Sequence, residues 1–123
     1  MTEAKHHRLV WTEIPVTNLE KARAFYETLL EAPLIKDDNG PQPMLMLPDL
    51  QGDGAVGHLY EGKPVTQGDG ITAHLAVNGS LDDAMARVAK SGGEIVSEEI
   101  TIPAGSFFYA KDTDGNSLGI FKY

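Results

Sequence analysis

The stretch LVWTEIPVTNLEKARAFY, residues 9–26, decides the fold because a recognisable copy of it occurs in the second half of the chain. Residues 11–16 (WTEIPV) align with residues 72–77 (TAHLAV), and residues 18–24 (NLEKARA) align with residues 80–86 (SLDDAMA). The first offset, 72 − 11, is 61 residues and the second, 80 − 18, is 62, which indicates one residue gained between strand and helix. Since self-similarity at a fixed spacing indicates repeated modules, we predict a duplicated fold.

The first strand of the first copy alternates in character along its length. Val10 and Ile14 are predicted to face a helix, whereas Trp11 and Glu13 lie on the opposite face, because successive side chains of a strand point to opposite sides. Pro15 lacks an N–H group and therefore indicates an edge strand, a strand end or a bulge. One face of this strand is thus apolar and branched, and the other carries an indole and a carboxylate.

The helix that follows has recognisable start and stop signals. Thr17 and Asn18 are candidate N-caps, and Thr17 followed three residues later by Glu20 has the spacing of a capping box. Ala32 before Pro33 ends the helix, since the residue before a proline is pushed out of the helical region. An apolar stripe at helical spacing should pack on the strand, and it consists of Leu19, Ala22, Tyr26, Leu29 and Leu30.

Three further strands are predicted to complete each module. In the first module, Asn39-Gly40 indicates a β-hairpin, because both central positions of a type I′ turn need positive φ. In the second module, residues 94–102 are predicted to form one strand. The run DTDGN at residues 112–116 resembles the start of a calcium loop but lacks the distal glutamate, so a tight hairpin turn explains it better.

The predicted fold class is therefore α+β, with the element order βαβββ occurring twice. The first module spans about residues 9–60, a turn-rich linker covers residues 61–70, and the second module spans about residues 71–123. At about sixty residues each module is marginal alone, so the two should share a core within a single domain at residues 1–123.

The composition argues against several classes of partner. A net charge of −8, with ten basic residues that do not cluster, predicts no nucleic-acid partner. No apolar run approaches the roughly 18 to 20 residues that span a bilayer, and the polar start MTEAKHHR is unlike a signal peptide. The absence of cysteine removes disulfides and thiolate chemistry. We therefore predict a cytoplasmic protein with no membrane partner.

Several motifs of the duplication resemble those of the vicinal oxygen chelate superfamily, the glyoxalase/bleomycin-resistance/dioxygenase group. The resemblance rests on NLEKARAFY at residues 18–26, and on Gly92-Gly93 followed by DTDGN. The segments WTEIPV and AMARVAKSGG look like those of short proteins related to lactoylglutathione lyase. The resemblance implies a curved, mixed eight-stranded sheet with helices on the convex side and a cavity between two halves.

The resemblance also bears on metal binding. Metal-using members of that family place ligands, mostly His, Glu or Gln, at four symmetric strand positions. Carried onto this sequence, these positions fall at Trp11 and Thr72 in the first strands and at Gly57 and Gly119 in the fourth strands. Indole and glycine side chains supply neither the imidazole nitrogen nor the carboxylate oxygen that divalent ions take at roughly 2.0 to 2.3 Å. We therefore expect no metal site and no other cofactor.

Glu13 and His74 occupy duplicated positions in the two first strands, and the resemblance implies that both face the cavity. They are candidate catalytic residues as a general acid/base pair, and the alternative is an ion pair or hydrogen bond that joins the two strands. Regular alternation turns His58 toward the helices or the rim. A site in which Glu13, His58 and His74 bind a divalent ion such as Zn, Ni, Mn or Fe would therefore require a shift of register.

The predicted function is to bind or sequester a small, largely apolar or neutral molecule. The candidate ligand-binding residues are Trp11, Glu13, Thr72, His74 and Phe121. One alternative is a glyoxalase-like lyase or isomerase that uses Glu13 and His74, and another is a structural or regulatory dimer whose concave faces are filled by side chains. Because exposed strand edges invite pairing, we also predict a homodimer.

Overall fold

A computed structural model describes residues 7–123, so the first six residues of the polar start lie outside it. The described chain is an α+β protein whose order βαβββ occurs twice, as predicted, except that the second strand of the second module is divided. The elements are β1 (Thr12–Val16), α1 (Leu19–Leu30), β2 (Ile35–Asp37), β3 (Met44–Pro48), β4 (Ala55–Glu61), β5 (Ala73–Ala76), α2 (Leu81–Lys90), β6 (Glu94–Ile95), β7 (Ile100–Ile102), β8 (Gly105–Lys111) and β9 (Ser117–Lys122).

Each module forms a sheet of its own. Sheet one has the strand order β1-β4-β3-β2, and sheet two has the order β5-β9-β8-β6, with β7 paired to β8 beside β6. The strand pairs β1/β4 and β5/β9 are parallel, and the other pairs are antiparallel. The predicted eight strands are thus observed as a four-stranded and a five-stranded sheet, and β1 and β5 are edge strands. Pro15 lies on the edge strand β1, where its missing N–H is tolerated.

One hydrophobic core joins the two modules. Ile14 and Val16 of β1, Leu59 of β4, and Leu75 of β5 are buried in the same cluster, with α1 and α2 packed against each other above the sheets. Burial of each such aliphatic side chain stabilises the fold by about 1.5–3 kcal/mol. The helices therefore cover the inner face of each sheet, as predicted, and leave the opposite, outer face of each sheet free.

The ends of the first strand and first helix differ from the prediction in detail. Val10 precedes β1 and is 76% exposed, so it does not face the helix. Asn18 alone is the N-cap of α1, and its side chain accepts a hydrogen bond from the N–H of Lys21. The Thr17 hydroxyl instead donates to Asp114 at 2.6 Å, and Glu20 pairs with Arg23, so the capping box does not form.

Two predicted turns also take other shapes. Strands β2 and β3 form the predicted hairpin, but neither Asn39 nor Gly40 is among the positive-φ residues of the described chain, so its connection is not a type I′ turn. The predicted strand at 94–102 is interrupted because the N–H groups of Val96 and Ser97 both donate to the carbonyl of Tyr109. Two donors opposite one acceptor form a bulge, which divides the strand into β6 and β7.

The DTDGN turn between β8 and β9 fastens module two to module one. The buried Asp112 carboxylate accepts hydrogen bonds from the Tyr26 hydroxyl of α1 at 2.6 Å, from the N–H of Asp114, and from both the N–H and the side chain of Asn116. The Asn116 amide also donates to the carbonyl of Pro15 at 2.8 Å. Burial, together with the Asp112 charge, raises the pKa of Tyr26 well above its usual value. We call these contacts the inter-module latch.

Candidate functional site

The pairing of β1 with β4 decides which side chains share the outer face of sheet one. Glu13 lies opposite His58, and Thr12 lies opposite Gly57, in the parallel ladder. In module two the corresponding pair is His74 opposite Gly119. The position equivalent to Gly119 is therefore His58 and not Gly57, and the prediction that His58 turns toward the helices is wrong.

Three side chains of sheet one form a polar cluster on this outer face. The indole N–H of Trp11 donates to Nδ1 of His58 at 2.8 Å, and Nε2 of His58 lies 3.3 Å from Oε1 of Glu13. Because an indole nitrogen can only donate, Nδ1 carries no proton and the neutral imidazole is protonated at Nε2. His58 is 9% exposed, whereas the Glu13 side chain is 66% exposed. We call Trp11, His58 and Glu13 the indole–imidazole cluster.

The four inherited ligand positions do not fit a divalent metal. With the corrected register they carry Trp11, His58, Thr72 and Gly119, so they supply a single imidazole. Both nitrogens of that imidazole already face partners within the indole–imidazole cluster. Within residues 7–123, no three His, Asp or Glu side chains lie close enough together to hold a metal ion, and this includes the alternative set of Glu13, His58 and His74.

His74 occupies a different environment on the outer face of sheet two. The ring lies over Gly119, where a Cβ atom would overlap the imidazole in its present orientation. His74 is exposed, and its ring contacts Phe107 at a centroid distance of 5.3 Å and Tyr109 at 6.0 Å. The hydrogen bonds of the described side chains include none to His74. Glu13, the predicted partner of His74, instead contacts His58.

Aromatic side chains surround His74. The rings of Phe107 and Phe121 are nearly parallel, with 15° between their planes, and Tyr123 packs edge-on against Phe121. A cavity of about 270 Å³ opens among them, and it is also lined by apolar side chains of β5 and β7. We call this surface the aromatic face. It consists of His74, Phe107, Tyr109, Phe121 and Tyr123.

The five predicted ligand-binding residues therefore divide between two sheets. Trp11 and Glu13 belong to the indole–imidazole cluster, and His74 and Phe121 belong to the aromatic face. Thr72 precedes β5, and its hydroxyl hydrogen-bonds that of Ser117 at 2.6 Å. No contact within the described chain brings Glu13 and His74 together as an acid/base pair.

Sequence reasoning missed two contributors to these surfaces. His58 was assigned to the wrong face because the 62-residue offset of the helices was carried into the fourth strand, where the offset is 61. Phe107 is a central ring of the aromatic face, and it was not singled out although it alternates with the buried Phe108 along β8. The period of two in SFFYAK was the signal that could have found it.

No helix within residues 7–123 combines the length and hydropathy that a transmembrane segment requires. No curated protein sequence matches the chain. Solved structures do match it in fold, over nearly its whole length and with low sequence identity.

Three of these structures illustrate the range of proteins that share the fold. An antibiotic binding protein, TnmS3, from Streptomyces sp. CB03234 is 23% identical, with 98% of each chain covered and a TM-score of 0.66. A glyoxalase/bleomycin resistance protein from Albidiferax ferrireducens T118 is 22% identical over 93% of this chain and 97% of that one, with a TM-score of 0.66. A glyoxalase-related enzyme from Fulvimarina pelagi is 18% identical over 96% and 89%, with a TM-score of 0.65.

The sequence also matches a protein family directly. The sequence profile of the Glyoxalase/Bleomycin resistance protein/Dioxygenase superfamily matches residues 8–120, which includes both modules. The duplicated βαβββ order and the parallel first-to-fourth strand pairing agree with this match. The chain therefore belongs to the Glyoxalase/Bleomycin resistance protein/Dioxygenase superfamily.

Proposed function

We propose that this protein binds or sequesters a small, largely apolar and neutral molecule on the aromatic face, without the metal site that metal-using relatives employ. The observation that carries the proposal is the cavity of about 270 Å³ among His74, Phe107, Phe121 and Tyr123. Aromatic rings offer large apolar contact areas, and His74 adds a polar group that can orient a ligand by hydrogen bonding.

The size and charge of this region favour a modest neutral ligand. A second cavity of about 240 Å³ shares His74, Ala76 and Tyr123 with the first and extends it toward Leu50 and Val56 of module one. Together the two cavities fall within the roughly 300–1,000 Å³ that ligand sites occupy. No lysine or arginine lines either cavity, so a strongly anionic ligand would find no counter-charge.

The solved structures that share this fold include a protein described as binding a small molecule. One structural neighbour is described as an antibiotic binding protein, and another is described as a glyoxalase-related enzyme. Because the same scaffold supports different chemistry, the proposal rests on the side chains of the aromatic face rather than on either neighbour.

A thermal-shift screen of neutral aromatic compounds tests the proposal. A compound that binds only the native state raises the melting temperature by mass action, and we expect at least one such compound. Phe121→Leu should weaken its binding about tenfold, since an aromatic contact is worth roughly 0.5–1.5 kcal/mol beyond its buried area.

Tyr60→Leu provides the matched control, because Tyr60 and Phe121 hold equivalent places in the ladders of the two modules. This control should leave the affinity unchanged. Equal weakening by both substitutions, or no stabilising compound in a broad library, would contradict the proposal and favour a dimer whose outer faces are filled by side chains.

A lyase or isomerase of the glyoxalase kind is the second candidate. It is favoured by the exposed imidazole of His74, which opens to the cavity and makes no hydrogen bond among the described side chains. In this case His74 acts as the general acid or base, and Glu13 would have to contribute from the other sheet. His74→Ala should then abolish turnover of a glyoxalase-type substrate while the melting temperature stays within about 2 °C, because the ring is at the surface.

We also propose that the protein is a homodimer in solution. Strands β1 and β5 each pair on one side only, and an unpaired strand edge is a template for association. Sedimentation equilibrium should give twice the chain mass of 13.3 kDa, and a monomeric mass at micromolar concentration would reject this proposal.

A further inference from the structure

A third cavity, separate from the two cavities at the aromatic face, lies along the unpaired edge of β1. Its volume is about 450 Å³, and it is enclosed by β1, by the segment before β5 and by the beginnings of β5 and β9. We call it the β1 crevice. Its apolar wall includes Leu9, Trp11, Val65 and Ile71, and its charged groups are Glu13 and Asp69.

The charges in the β1 crevice are not balanced. No lysine or arginine lines it. The carboxylate of Asp69 is paired with Nζ of Lys111 at 3.0 Å, which neutralises it. Glu13 faces only the imidazole of His58, and that ring is neutral because its Nδ1 accepts the indole N–H of Trp11. Glu13 therefore contributes a negative charge without a cationic partner in the described chain.

The indole beside Glu13 is suited to the same kind of ligand. Trp11 is 38% exposed, and its hydrogen bond to His58 fixes the orientation of the ring. The face of an indole attracts cations through its quadrupole, and Trp is the strongest of the aromatic side chains in this respect. Glu13 lies two residues further along the chain, and both residues line the crevice.

We infer that the β1 crevice binds a small organic cation, namely a protonated amine attached to an apolar body. The ammonium group contacts the Trp11 ring and the Glu13 carboxylate, and the apolar body packs against Leu9, Val65 and Ile71. The net charge of −8 of the whole chain draws cations toward the surface. The crevice shares no lining residue with the cavities of the aromatic face, so this inference stands or falls independently of ligand binding on the aromatic face.

Three probes of matched size test the inference by NMR titration: 2-phenylethylamine as the cation, 2-phenylethanol as the neutral analogue and 3-phenylpropanoate as the anion. The chain has a single tryptophan, so the indole N–H of Trp11 gives one resolved signal that reports on the crevice. We expect the amine to shift this signal with a Kd roughly tenfold lower than that of the alcohol, and the anion to bind more weakly still.

Glu13→Gln separates charge from shape, because the amide keeps an oxygen facing His58 while it removes the negative charge. In this variant the amine and the alcohol should bind with nearly equal Kd. Glu98→Gln changes the net charge by the same amount at an exposed position outside the crevice, and it should keep the preference for the amine.

Three results would overturn the inference. One is equal binding of amine and alcohol by the unmodified protein, or no binding of either. Another is an equal loss of preference in Glu98→Gln, which would indicate nonspecific attraction by the net charge. The third is an amine that shifts signals of His74 and Phe121 while the Trp11 signal stays in place.

Discussion

In module one the imidazole of the parallel strand pair comes from β4, as His58 opposite Glu13, whereas in module two it comes from β5, as His74 opposite Gly119. His58 is 9% exposed and both of its nitrogens face partners. His74 is exposed, lies over a glycine and is surrounded by aromatic rings. The corresponding strand pair thus carries a buried imidazole with two polar partners in module one and an exposed imidazole in module two.

The turns that follow β3 in module one and β8 in module two also differ. Each begins with an aspartate, Asp49 after β3 and Asp112 after β8. Among residues 7–123, the donors to the Asp49 carboxylate are the N–H groups of Gly52 and Asp53 in its own turn. Asp112 also accepts from Tyr26 of the other module. The turn after β8 therefore makes an inter-module contact that the turn after β3 does not make in the described chain.

The two modules therefore use corresponding parts of the duplicated fold in different ways. Module two supplies Asp112 to the inter-module latch and leaves the His74 imidazole exposed on its outer face. Module one uses its imidazole within the indole–imidazole cluster, where the ring supports the outer face of sheet one. Matched substitutions in the two modules test this difference, and the pair with the greatest expected loss of stability comes first.

Asp112→Ala should lower the free energy of unfolding by about 3 kcal/mol or more, because it leaves the buried Tyr26 hydroxyl and three partly buried donors without an acceptor. Asp49→Ala should lower the free energy of unfolding much less, since its donors lie at the surface and can bond to water. Urea unfolding of both variants measures the difference. Equal losses of unfolding free energy in the two variants would show that the contacts of Asp112 with module one add no stability.

Gly57→Ala should lower the free energy of unfolding by about 2 kcal/mol, because the new Cβ would overlap the backbone of Thr12 on the paired strand, which cannot move aside. Gly119→Ala should cost within about 1 kcal/mol, since the obstructing group is the exposed His74 ring, which can rotate away. The same urea experiment compares them. A larger loss for Gly119→Ala would mean that the His74 ring is fixed by the fold.

His58→Ala should lower the free energy of unfolding by about 1 kcal/mol, since it removes the acceptor of the Trp11 N–H and a buried ring. His74→Ala should change it by no more than about 0.5 kcal/mol, as expected of an exposed position. If His74→Ala were the more destabilising of the two, His74 would be a structural residue and the comparison would fail.

The duplicated fold could be predicted from sequence because strand alternation and helical stripes are local patterns. The positions Ile14/Leu75 and Val16/Val77 were aligned correctly by their letters alone and are buried in one core. The inter-module latch was not predicted, because nothing local to Asp112 indicates that Tyr26, 86 residues away, lies beside it.

The candidate site could be predicted only in part, because strand register depends on pairing rather than on spacing along the chain. Each loop changes length independently, so an offset measured at the helices does not carry into β4, and a slip of one residue moves a side chain to the other face. That slip placed Gly57 where the structure has His58. The bulge at Val96 and Ser97 is another feature of pairing, and no residue type in residues 94–102 signals it.

Long-range ¹H–¹⁵N spectra of the imidazoles test the central claim most directly, with assignments from the His58→Ala and His74→Ala variants. We predict that His58 shows the tautomer protonated at Nε2 and that its signals stay in place when a compound from the thermal-shift screen is added, while both nitrogens of His74 shift. A compound that moves the His58 signals and leaves those of His74 unchanged would contradict the account.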